Sequence, residues 1–247
     1  MIKYGMLEYF IMKWSVYIWI VFQLYNQTEI IEGCSMGYLK LKRAIDLLVS
    51  VLAAVGLSPL FVLVILAIKL DTPGPIFFRQ KRVGIHKMHF NILKFRTMRI
   101  DTPKDTPTHL LGDPEQYITK VGKFLRKTSL DELPQIFNII VGEMAIIGPR
   151  PALWNQYDLI EERDKYGAND VRPGLTGWAQ INGRDELEIP VKAALDGEYI
   201  QKMSPAFDLK CFVGTITSVL KSEGVLEGGT GSVKECDKFK TKDVNCK

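Results

Sequence analysis

At 247 residues, 47% hydrophobic and 24% charged, the chain is long enough for one or two domains with a real core. Its mean hydropathy of +0.03 averages a membrane-grade N-terminal part with a polar remainder, so neither a wholly soluble nor a wholly embedded protein fits. The net charge of +4 is uneven, with 16 Lys/Arg against 6 Asp/Glu between Tyr38 and Lys127; this zone suits anionic headgroups, a phosphate-rich substrate or plain solvation, and no recognition motif argues for nucleic acid.

Residues 1–37 read as an atypical extension. Ile11 to Leu24 is apolar and aromatic but short of a full span, carries Lys13, and lacks a signal-peptide cleavage site. The stretch is either an extra hydrophobic helix or lies upstream of the natural start, and the basic lead MGYLKLKR favours a start at Met36. A membrane segment is expected over 38–70. Leu47 to Ile68 has no charged side chain and is long enough to enter lipid. Its middle holds Ser58-Pro59, where proline removes a helix hydrogen bond and serine can satisfy the freed carbonyl. Lys40, Lys42 and Arg43 precede the run and Lys69, Arg79, Lys81 and Arg82 follow it. Both ends therefore prefer the cytoplasmic face, which favours a helix–break–helix that re-enters one leaflet.

Residues 71–223 are expected to form one small catalytic domain. Asp71-Thr72-Pro73-Gly74-Pro75 breaks the chain. Ile76–Phe78 and Met88–Leu93 read as short strands of a hairpin around a basic turn, and 101–117 as a loop. Apolar spacing predicts helices from Tyr117 to Leu125 and from Leu133 to Ile140. Further helices are predicted over Trp154–Arg163, Val191–Met203 and Leu209–Leu220, with Trp178–Ile181 extended. The tail 224–247 is polar and reads as disordered. The fold class is thus α+β, mostly helical, with a short β-hairpin.

Cys34, Cys211, Cys236 and Cys246 show no paired spacing, which points to a reducing compartment. His86 and His89 lack a third ligand and read as surface or structural residues. No P-loop, Rossmann glycine motif, zinc-protease motif or nucleophile elbow is present.

The densest chemistry lies in Arg126-Lys127-Thr128-Ser129-Leu130-Asp131-Glu132-Leu133-Pro134. Ser129 with Glu132 three residues on is a capping box, and that bland reading is the commoner outcome of such spacing. The same geometry also keeps an aspartate ionised by the helix dipole. Such a carboxylate can attack phosphorus or hold Mg²⁺, and the local physics leaves both roles open. Lys94 and Arg96 alternate on an apparent strand and face one side. Arg150 lies between two prolines, and Arg172 precedes a Pro-Gly turn. Each alone is more often a surface or salt-bridge residue, but rigid arginines together suit phosphate.

Taken in order, KRAIDLL, the Ser58-Pro59 run, DTPGPIFFRQKRVG, LKFRTM, VGKFLRKTSLDELPQIFNIIVGEMAIIGPRP, VRPGLTGWAQINGR and LDGEYI…SPAFDLK resemble the bacterial sugar transferases, the monotopic polyprenol-phosphate phosphoglycosyl transferases. The resemblance covers roughly residues 38 to 225. It implies transfer of a sugar 1-phosphate from a UDP-sugar to a polyprenol phosphate such as undecaprenyl phosphate, with release of UMP. Asp131 would form a covalent phosphosugar intermediate and, with Glu132, bind Mg²⁺. Lys94, Arg96, Arg126, Arg150 and Arg172 would contact phosphate. Asp196 matches a family acid, grouped with these without a derived role. The partners implied are a UDP-sugar, the lipid phosphate and membrane lipid at the bacterial inner membrane, with the domain on the cytoplasmic face. A homo-oligomer stays open. The sequence departs from the family's GRN ending at Gly183-Arg184-Asp185. A polyanion-binding adaptor and a two-span membrane protein are the rival readings.

Overall fold

The computed structural model describes residues 36–102, 116–183 and 187–221. The expected extension up to residue 35, the polar tail, most of the 101–117 loop, and Arg184 with Asp185 lie outside the described residues.

The first two helices, α1 (Met36–Gly56) and α2 (Ser58–Asp71), meet at Leu57 with a bend of 60°. Among the described residues no single helix is long and apolar enough to cross a membrane; the bent pair meets that test only together. Pro59 begins the second helix, and Ser58 Oγ donates to the Val55 carbonyl at 2.7 Å. One backbone group released at the break is thereby satisfied. The burial pattern of α1 is inverted. Arg43, Asp46 and Ser50, spaced for one helix face, are buried, whereas Leu48, Leu52 and Val55 are exposed. On α2, Phe61, Val64 and Ile68 face the body, and Val62, Leu63 and Leu66 face outward.

After the Pro-Gly break, β1 (Phe77–Val83) pairs antiparallel with β2 (His89–Phe95), Phe77 opposite Phe95 and Val83 opposite His89. The first strand is longer than predicted, since Arg79 to Arg82 belong to it and not to the turn. A two-stranded ribbon leaves one face open, so charged side chains can alternate outward without leaving the ladder. The turn itself is the 3₁₀ segment Ile85–Lys87, with His86 and Lys87 in the left-handed region.

The rest is mostly helical. Helix α3 (Lys120–Lys127) is capped by Thr119, which accepts from Gly122 N, and α4 spans Gln135–Val141. Strands β3 (Ala145–Ile147) and β4 (Gly174–Thr176) form a small parallel pair. Helix α5 covers Tyr157–Asp164, α6 Trp178–Ile181, α7 Ile189–Lys202 and α8 Pro205–Lys221. Trp178–Ile181 was expected to be extended. It closes a helical turn because Asn182 Nδ2 bonds back to the Trp178 carbonyl and the indole donates to Glu198.

Candidate active site

The Asp131-Glu132 segment sits between two helices without belonging to either. Helix α3 ends at Lys127 with Thr128 as its C-cap, Ser129 takes a left-handed backbone (φ 56°), and Leu130–Glu132 form a single 3₁₀ turn. Pro134 then opens α4. The expected capping box does not form: the Ser129 side chain makes no cap hydrogen bond. The left-handed turn redirects it, and Glu132 has stronger, charge-assisted partners.

Those partners come from both sides. Lys94 Nζ, near the end of β2, lies 2.7 Å from Glu132 Oε1. Arg150, in the Gly148–Pro151 loop after β3, donates from Nη2 to the same oxygen at 2.7 Å and from Nη1 to Oε2 at 3.4 Å. Burial alone would raise the Glu132 pKa, but Arg150 and Lys94 reverse this and hold the carboxyl far below its usual range.

Asp131 behaves in the opposite way. Burial pushes its carboxyl upward, with Lys94 opposing, Glu132 adding to the rise, and Arg126 and Arg150 opposing more weakly. The helix dipole was expected to keep Asp131 ionised. In a lone 3₁₀ turn ahead of a seven-residue helix, desolvation outweighs it. Two adjacent carboxylates therefore differ, one firmly ionised and the other poised nearer neutrality, and such divergence is typical of reactive sites.

Local packing explains the precision. Leu130 and Leu133 flank the dyad and pack with Phe61, Val64 and Ile68 of α2, Phe95 of β2 and Leu125 of α3. The turn that carries the dyad is thus tied, through Leu130 and Leu133, to the cluster that α2 shares with β2 and α3. Asn138 ties α4 to the hairpin, accepting from Leu93 N at 2.9 Å and donating to the Asn91 carbonyl at 2.9 Å. Sequence reasoning missed Asn138, although a lone amide inside the run Ile136–Ile140 was a readable signal. Behind the Arg150 loop, the backbones of Gly148, Gly174 and Gly177 approach too closely for a Cβ on any of them.

The expected phosphate contacts separate into two groups. Lys94, Arg126 and Arg150 all act on Asp131, and Arg126 is steadied by Thr97 Oγ1 at 3.0 Å. Arg96, Arg172 and Asp196 have other surroundings. Arg96 follows β2 and donates to the Pro73 carbonyl and to both oxygens of Thr72, so it holds the Pro-Gly break. Arg172 donates to the Gly142 carbonyl at the far end of α4; burial and then the nearby Arg43 lower its pKa to about 10. Asp196 is a buried anion paired with Arg163 at 2.6 and 2.8 Å, which ties α7 to α5. A carboxylate so placed repels phosphate and serves packing instead.

A metal fits this donor set at one carboxylate only. Asp131 is a hard oxygen donor that no side-chain hydrogen bond reaches among the described residues, whereas the Glu132 oxygens are engaged by Lys94 and Arg150. No group of three or more His, Cys, Asp or Glu able to hold a metal occurs among the described residues. Mg²⁺ is often held by one or two carboxylates plus substrate phosphates, which suits Asp131 alone.

Comparison with known proteins supplies the wider context. The family described as "Bacterial sugar transferase" matches residues 37–222. The "Uncharacterized sugar transferase EpsL" of Bacillus subtilis is 39% identical over 185 residues, covering 75% of this chain and 90% of that protein. The "Undecaprenyl-phosphate glucose phosphotransferase" of Komagataeibacter xylinus is 42% identical over 71% of this chain but only 35% of its own length. The "UDP-glucose:undecaprenyl-phosphate glucose-1-phosphate transferase" of Caulobacter vibrioides is 40% identical over 74% of this chain and 70% of its own. The match thus spans most of the smaller relative and about a third of the longest of these three.

Proposed function

Because the chain belongs to the bacterial sugar transferase family, we propose that it moves a sugar 1-phosphate from a UDP-sugar to a polyprenol phosphate. The observation that carries this reading is the Asp131 carboxylate, set among Lys94, Arg126 and Arg150 in a turn whose Leu130 and Leu133 pack with the hydrophobic helix α2. Relatives named for undecaprenyl-phosphate glucose-1-phosphate transfer support the lipid acceptor and a glucose-type donor.

An Asp131 oxygen attacks the β-phosphorus of the UDP-sugar. The bond from that phosphorus to the bridging oxygen breaks, and UMP departs with the electron pair. The sugar phosphate is left on Asp131 as an acyl phosphate. An oxygen of the polyprenol phosphate then attacks the same phosphorus, breaks the aspartyl–oxygen bond and restores the carboxylate. Lys94 and Arg150 line the path of the diphosphate. Glu132 keeps these two long side chains extended toward the site before substrate arrives, so less ordering is left for the binding step. Arg126 adds positive potential at Asp131. Asp131 would hold Mg²⁺, which would supply neutralisation of negative charge on the leaving group. Glu132 would join as a ligand only by giving up Lys94 or Arg150.

The helix pair supplies the setting. Its exposed leucines and valines suit lipid, and its 60° bend suits entry into and return from one leaflet. With Lys40, Arg79 and Lys81 exposed beside it, the domain would sit on the cytoplasmic side of the inner membrane. Incubating the purified chain in vesicles with polyprenol phosphate and a panel of UDP-sugars tests the proposal. UMP release that depends on one or two donors supports it, and no release from any donor overturns it.

A further inference from the structure

The charged face of α1 is turned inward onto the body. Lys42 Nζ lies 2.6 Å from Asp208 Oδ2, and Tyr38 donates its hydroxyl to the same oxygen at 2.8 Å. The other oxygen, Asp208 Oδ1, accepts from Tyr199 at 2.8 Å, and Tyr199 also reaches the Ile147 carbonyl. One carboxylate on α8 therefore gathers two groups from α1 and one from α7. Immediately after Lys42 on α1, Arg43 donates to the carbonyls of Ile139 at 2.7 Å and Ile140 at 3.1 Å. Asp46 accepts from Ile146 N at 3.4 Å, at the start of β3.

Two features separate this arrangement from ordinary surface pairing. Arg43 is only 2% exposed and Asp46 only 5%, so their partners are shielded from the competition of water and salt. In addition, Arg43 reaches the C-terminal end of α4, whose other end follows the dyad directly, while Asp208 fastens the same stretch of α1 to α8. Arg172, close to Arg43, donates to the Gly142 carbonyl at that same end. Cations there complement both the unpaired carbonyls and the helix dipole. Helix α4 is thus gripped at its tail by α1, while α2 supports the dyad turn at its head.

We propose that Arg43 and Asp208 form a positioning lock that fixes the level of Asp131 relative to the hydrophobic helix pair, so that the nucleophile meets a lipid-borne phosphate. The proposal rests on the transferase reading above. The first half-reaction uses a soluble donor and needs only the dyad and its cations. The second needs Asp131 at the level where a polyprenol phosphate presents its head. Loosening the lock therefore separates the two half-reactions.

The test uses the full chain in phospholipid nanodiscs, with Asp208→Asn and Arg43→Lys as conservative variants and Arg43→Ala as the severe one. UMP release from a UDP-sugar alone should stay within about twofold of the parent in the conservative variants. Transfer to a long-chain polyprenol phosphate should fall by about tenfold, chiefly through a higher KM for the acceptor. A short water-soluble prenyl phosphate should be used almost as well as by the parent. Parallel loss in both half-reactions means a merely structural role and overturns the proposal, as does no loss in either. A second readout needs no activity: a fluorophore on Lys127→Cys, quenched by depth-marked brominated lipids. Its depth should shift or broaden in Asp208→Asn, and an unchanged depth overturns the lock. A parent chain that releases no UMP yet shows this depth shift would refute the transferase reading and leave the lock standing.

Discussion

Arg150 Nη2 donates to Glu132 Oε1 across 2.7 Å, which fastens a loop held between two prolines to the residue beside Asp131. Glu132→Gln keeps the shape and removes the charge, leaving Lys94 and Arg150 facing a neutral amide. The expected loss is about 1–2 kcal/mol, less than for a wholly buried pair because the Arg150 side chain is 36% exposed. Since the folded pKa of Glu132 lies below its ordinary value of 4.5, the stabilisation is fully present above that value. It is lost as pH falls further toward the folded pKa. Urea melts of parent and variant should therefore differ by a constant amount from about pH 8 to 5 and converge under stronger acid.

Asp131 has the opposite sign. Its pKa is raised above 3.8, first by burial, so the ionised form is held at some cost to the fold, and stability is regained as pH falls through the folded value. Asp131→Asn removes that cost and should raise Tm by about 2 °C while abolishing UMP release. The acid limb of the parent's pH–rate profile should fall at a pH above the ordinary aspartate value. A variant that melts lower than the parent, or an acid limb at the ordinary value, contradicts this account of the site.

The bend at Leu57 depends on Pro59 and on Ser58 bonding to Val55. Replacing both, as Ser58→Leu with Pro59→Leu, should let α1 and α2 join into one straight helix. Single cysteines placed as Lys40→Cys and Thr72→Cys should react from the same side of a vesicle in the parent and from opposite sides in the straightened variant. Opposite-side labelling in the parent would restore a simple span.

How much of this was legible in advance differs from element to element. The hydrophobic run and its Ser-Pro break were readable because lipid-grade composition and proline chemistry are local properties. Lys94 and Arg150 were readable as cations in restrained segments and Arg126 as one close before the acidic pair, yet Arg96 and Arg172 read like the first two, and nothing local distinguishes them. Only tertiary placement shows that Arg96 is used on Thr72 and Pro73 and Arg172 on Gly142. The capping box failed for a related reason: spacing showed that Ser129 and Glu132 could pair, but not that two cations distant in sequence would claim Glu132. The inward-facing charges of α1 were read as topology signals when Lys42 and Arg43 also bind the body.

The Arg150 loop is held by backbone packing, which makes it sensitive to a single methyl. A Cβ on Gly174 would collide with the nitrogen and oxygen of Gly148 and with the Thr176 carbonyl. Backbone cannot move aside as a flexible side chain can, so Gly174→Ala should cost about 2–3 kcal/mol. It should also lower UMP release more than Gly56→Ala, whose added methyl meets nothing within 4 Å. Thermal melts and initial rates on both variants check this.

The central claim is that Asp131 carries the sugar phosphate. Intact-mass spectrometry of the purified chain, after incubation with its UDP-sugar and no lipid acceptor, tests it most directly. The parent should gain one sugar phosphate, release one equivalent of UMP, and lose the added mass when polyprenol phosphate is supplied. Asp131→Asn should gain nothing. UMP release at the parent rate by Asp131→Asn, or turnover by the parent that needs both substrates at once and never shows the added mass, would contradict it.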